Sequence, residues 1–107
     1  MAQDFERHRA RATGTSPVTL FTSNSNDAVF SLRLANIAAS AITVDVYITS
    51  GGADYYMAKT IPLLTGSSLE LIDGASRFVV QSGDALKIVS NTASSLDAWV
   101  SVVDAIS

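Results

Sequence analysis

Ile42-Thr43-Val44-Asp45-Val46-Tyr47-Ile48-Thr49 is the stretch on which the fold turns. Ile42, Val44, Val46 and Ile48 alternate with Thr43, Asp45, Tyr47 and Thr49. A period of two places all four aliphatic side chains on one face of an extended chain, the pattern of a strand with one face in a core. Upstream, Phe30, Leu32 and Leu34 alternate in the same way with Ser31, Arg33 and Ala35, so the two runs read as two antiparallel strands. Downstream, Ser50-Gly51-Gly52 breaks the run and Tyr55 to Leu63 resumes it. Thr65-Gly66 breaks it again before Leu69 and Leu71, and Asp73-Gly74 reads as a further turn. Phe78 to Gln81, Ser82-Gly83-Asp84, Leu86 to Val89, a polar loop at Asn91 to Ser95 and a last strand from about Ala98 to Val103 complete the carboxyl half.

Before Phe30, Gly14-Thr15-Ser16-Pro17 gives a turn-rich entry to a short strand at Val18 to Thr22, followed by a polar loop from Ser23 to Asp27. The segment Gly66-Ser67-Ser68-Leu69-Glu70-Leu71 is echoed by Gly83-Asp84-Ala85-Leu86-Lys87-Ile88, which suggests two similar turn-to-strand units. About eight short strands with no amphipathic helix predict an all-β, antiparallel sandwich or jelly roll, with a small barrel as the alternative. Residues 1–12 are charged and show no apolar alternation, so they are expected to form an extended N-terminal arm ahead of one domain over residues 13–107.

The 107 residues fit one domain with a core of its own. With no cysteine, a disulfide scaffold, a thiolate zinc site and a cysteine nucleophile are excluded. Asp4, Glu6, Arg7, Arg9 and Arg11 occupy the place where a signal peptide needs an apolar segment, and no apolar run reaches membrane-spanning length. The expectation is a soluble, unexported protein made in the cytoplasm, with no membrane contact. Net charge is -3, with three of the seven basic residues between Arg7 and Arg11. Beyond Arg11 the balance is four basic against eight acidic residues, which argues against a nucleic-acid-binding body.

Catalytic candidates are few. His8 is the only histidine and lies in the arm, away from the rigid elements that a triad or a zinc site needs. Asp27, Asp54, Asp73, Asp84 and Asp97 fall at loops or strand ends, where Asp side chains hold turns together, and no spacing resembles a calcium loop. The glycine-rich turns lack the lysine and the helix of a phosphate loop, and no serine sits in a nucleophile elbow. No enzyme, metal or cofactor is therefore expected.

Partner-binding candidates are clearer. Arg7, Arg9 and Arg11 read either as a solvated terminus or as a basic arm for phosphate or an acidic patch on a partner subunit, with a protein partner favoured over nucleic acid because three arginines give only a modest electrostatic attraction. If Ala98, Val100 and Val102 face the core, Trp99 projects outward with Ser101 and Val103, where an oligomer contact would cover its ring. Tyr55-Tyr56 poses the same question, because adjacent strand residues point to opposite faces.

Gly14-Thr15-Ser16-Pro17 before Val18-Thr19-Leu20-Phe21-Thr22, then Leu34-Ala35-Asn36, Ile42 to Ile48, Asp54-Tyr55-Tyr56, Ile61-Pro62, Gly66 to Leu71, Ser82 to Lys87 and Ala93-Ser94-Ser95-Leu96-Asp97, resemble in order and spacing the small virion structural proteins of tailed bacteriophages. The resemblance implies a non-enzymatic β-sandwich subunit of the particle. Foremost is a capsid decoration or cement protein on the outer shell, commonly a homotrimer, bound to itself and to the major capsid protein. A neck, head-tail connector or tail protein is the second reading. Outside that resemblance, exposed Trp99, Tyr55 and Tyr56 could also stack on sugar rings, as in a carbohydrate-binding module.

Overall fold

In the computed structural model, residues 4–72 and 78–104 are described, and they contain strands but no helix. The nine strands are β1 (Asp4–Thr13), β2 (Val18–Thr22), β3 (Asp27–Asn36), β4 (Ile42–Ser50), β5 (Ala53–Leu63), β6 (Ser68–Ile72), β7 (Phe78–Val80), β8 (Ala85–Ser90) and β9 (Leu96–Asp104). The turn expected at Asp73-Gly74 lies outside the described residues.

Two antiparallel sheets face one another. One runs β1-β9-β3-β6, with β7 also on β3, and the other runs β2-β8-β4-β5. The pairs are nested: β4 with β5, β3 with β6 and β7, β2 with β8, β1 with β9, alternating between the sheets. This is the jelly roll, a long hairpin folded over itself so that two layers share one core. Its innermost turn is Gly51-Gly52, flanked by the register partners Ser50 and Ala53. Both glycines have positive φ, 60° and 84°, as a tight hairpin with two left-handed residues requires.

The alternation read from the sequence is the alternation of burial. Ile42, Val44, Val46 and Ile48 enter the core from one layer, and Leu32, Leu34, Ala98, Val100 and Val102 meet them from the other. The paired units Gly66–Leu71 and Gly83–Ile88 lead into β6 and β8, one in each sheet.

One expectation needs correction. The runs Phe30–Leu34 and Ile42–Ile48 are strands but not partners, since β3 and β4 lie in different sheets. The chain crosses the sandwich between them, held by buried Asn36, whose Nδ2 donates to the carbonyls of Ser40 and Leu63 (both 3.0 Å) while its Oδ1 accepts from Ala38 N (2.8 Å). The segment expected as an extended arm is ordered against the sheet. From Asp4 on, the segment is strand β1, paired with β9 from Asp4↔Asp104 to Thr13↔Leu96, so the boundary expected between residues 12 and 13 falls within a strand.

Candidate functional site

The alternation that turns Val100 and Val102 inward sends Trp99 out, and its side chain is 47% exposed. The topology then decides its neighbours. With β9 between β1 and β3, Trp99 is the register partner of Arg9 on one side and Arg33 on the other. Register partners share a face, so one row reads Arg9, Trp99, Arg33 across three strands. Arg7 and Arg11 sit two residues either side of Arg9 on the same face.

The guanidinium of Arg7 lies over the Trp99 ring at 5.4 Å, a cation–π contact. Arg33 Nη2 donates to Glu70 Oε2 at 3.1 Å. Asp97 Oδ1 accepts from Ala12 N at 2.8 Å, so its carboxylate is engaged by the irregular end of β1, where Ala12 has φ 53°. Arg9 and Arg11 have no ion-pair partner among the described residues. Arg9, Arg11, Arg33, Asp97 and Trp99 line an open hollow of about 580 Å³, floored by small alanines. The arrangement presents guanidinium donors and an aromatic plane on one open face.

At the far end of this face Phe5 is 78% exposed and meets Phe30 edge-on at 6.1 Å. The opposite face of β1 is unusual for an inner one. Glu6 and His8 are register partners of Val102 and Val100, and His8 stacks on Phe21 at 4.9 Å while lying 3.7 Å from Glu6. The histidine is thus a packing residue at the rim of the core.

Tyr55 and Tyr56 belong to edge strand β5 of the other sheet, so the fold separates them from the arginine row. Tyr56 packs on Tyr47 at 5.0 Å, with Lys59 Nζ 4.4 Å from its ring. Tyr55 points the other way, and both residues are exposed on β5, which among the described residues pairs with β4 alone. Burial first, then the nearby Asp54, Tyr56 and Asp45, push the Tyr47 phenol above its ordinary pKa. Of the carboxylates read as turn residues, Asp27, Asp54 and Asp84 bond to groups close in sequence, whereas Asp97 holds Ala12 of β1. Asp27 accepts from Ser23 Oγ and Ser25 Oγ (both 2.7 Å), Asp54 from Thr49 Oγ1 (2.7 Å) and Asp84 from Gln81 N (2.9 Å). Asp73 lies outside the described residues.

Of the six residues singled out in the sequence, four meet on one face: Arg7, Arg9, Arg11 and Trp99. Arg33, Asp97, Glu70 and Phe5 were missed. Arg33 carried a signal, as an outward position in an alternating run, but its place beside Trp99 depends on β3 lying next to β9.

No family model and no curated protein matches the chain. Solved structures do. A chain of the Bacillus endospore appendages, described as a family of disulfide-linked pili, superposes with a TM-score of 0.57 at 21% identity, over 99% of this chain and 88% of that one. A chain of the infectious bursal disease virus particle gives 0.60 at 14% identity, over 96% of this chain and 31% of that one. The T=1 particles derived from infectious bursal virus give 0.54 at 15% identity, over 95% and 30%. The likeness is one of fold. The chain spans about a third of the viral chains' length. It also lacks any cysteine with which to form the disulfide links of the pili.

Proposed function

We propose that the chain is a non-enzymatic structural subunit of a tailed-phage virion, a capsid decoration protein that associates with itself as a trimer and bridges subunits of the outer shell. The observation that carries this reading is the placing of two exposed aromatic patches on opposite sheets. A bridging subunit needs surfaces that do not compete, and the arginine–tryptophan face and the Tyr47–Tyr56 patch are back to back across the core. One would meet sister copies and the other the major capsid protein. Large half-exposed aromatic rings and unpaired arginines are the residue types that anchor protein interfaces. The likeness to viral-particle and pilus chains supports an assembling role, because this jelly roll serves in particles and appendages.

The test is the mass of the isolated protein by light scattering, alone and with expanded shells of a candidate phage's capsid protein. A trimer that binds shells at a fixed ratio is expected. A ring of other stoichiometry that ignores shells would move the protein to the neck or tail, and a monomer that binds no shell would overturn the structural role. Loss of association in Trp99→Ala assigns that ring to the interface, whereas glycan binding lost in the same variant would assign it to a sugar.

A further inference from the structure

We propose that the outer edge of β1 accepts an extended acidic segment of a different protein, which adds to the sheet as a further strand with carboxylates at alternate positions beside Arg7, Arg9 and Arg11. The proposal rests on reading this face as an interface and names the chemistry of what it meets.

β1 is an end strand, and among the described residues nothing pairs with its other side. An unpaired strand edge offers a row of backbone donors and acceptors to an incoming extended chain, and the side chains at alternate positions then set which chain is taken. Here those side chains are three arginines at a spacing of two, all exposed on one face. Directly opposite residues of paired strands bring their Cβ atoms about 5 Å apart, so an acidic residue at every second position of the incomer would meet each guanidinium. Arg9 and Arg11 have no ion pair to give up among the described residues.

The same arginines argue against a second copy as the occupant. Pairing β1 with β1 of another molecule would place the outward residues of both strands on one face and oppose arginine to arginine, which is repulsive. No strand of this chain could serve instead, because its only acidic residues two apart are Asp4 and Glu6, within β1 itself. Charge on an edge strand is a common guard against self-pairing, and a guard of one sign is also a selector for the other.

The test uses the full chain and two peptides of equal composition, one alternating threonine and glutamate with three glutamates, the other with the glutamates consecutive. Binding is followed at low salt by calorimetry and by the fluorescence of Trp99, the only tryptophan. The alternating peptide is expected to bind about tenfold more tightly than its isomer. The R9E/R11E variant, with an unchanged circular dichroism spectrum, is expected to lose that preference. Equal affinity for the two peptides, or no binding of either, would overturn strand addition. If the chain still forms its oligomer and binds shells while ignoring both peptides, this proposal falls and the structural role stands. If it takes the alternating peptide but never assembles, the structural role falls and strand addition stands.

Discussion

β1 and β4 are nearly equal in length, 10 and 9 residues, and are strands for opposite reasons. β4 lies between β5 and β8 and sends Ile42, Val44, Val46 and Ile48 into the core, so burial of its own side chains holds it in place. Among the described residues β1 pairs with β9 alone, and its inner face carries Glu6, His8 and Ala10 opposite Val102, Val100 and Ala98. Little apolar surface is buried there, and the strand is held chiefly by the backbone ladder to β9. One strand is specified by what it says, the other by what it lies beside.

Breaking the inner strand should have the largest effect. Ile42 is 1% exposed, and Ile42→Ala is expected to cost about 2–5 kcal/mol in chemical denaturation, with a single cooperative transition retained. A change below about 1 kcal/mol would mean that β4 is no more anchored than β1. Next comes removal of residues 1–12. The truncated chain is expected to keep its β-sheet circular dichroism and a cooperative melt, at a lower midpoint, while associating less with itself and with shells. Loss of the cooperative melt would show that β1 is as integral as β4, and unchanged association would separate β1 from assembly. The smallest effect sharpens the contrast at the irregular end of β1. Thr13 is buried, and its hydroxyl has no hydrogen-bond partner among the described residues. Thr13→Val keeps the shape without the unpaired oxygen and is expected to raise stability by about 1 kcal/mol, read as a higher denaturation midpoint. A lower midpoint would show that the hydroxyl is satisfied.

The same contrast explains what was legible in the sequence. β4 announced itself because one face is aliphatic without exception, and Trp99 could be placed outside because Ala98, Val100 and Val102 fix the phase of β9. β1 could not be read as a strand. Its alternation is arginine against Glu6, His8 and Ala10, polar on both faces at its centre, and period-two reading needs an apolar face to find. The partnership of β3 and β4 was misread because local pattern carries the state of a segment but not its neighbour. Which strands pair depends on the crossing that Asn36 pins, in part through its bond to Leu63 in another strand. The arginine–tryptophan row was half visible for the same reason. Arg7, Arg9 and Arg11 stood out as a charge cluster, whereas Arg33 joined them only through the order β1-β9-β3.

The nesting of the pairs also orders the folding of the chain in time. The β4–β5 hairpin closes a two-residue turn, and each later pair must bring together segments further apart, ending with β1 on β9, where Asp4 meets Asp104. Closing a longer loop sacrifices more chain entropy before any contact rewards it, so the outermost pair zips last. In a newly made molecule the arginine strand is then the last to find its seat, and the first moments after synthesis are when a neighbour competes for β9 on the most even terms.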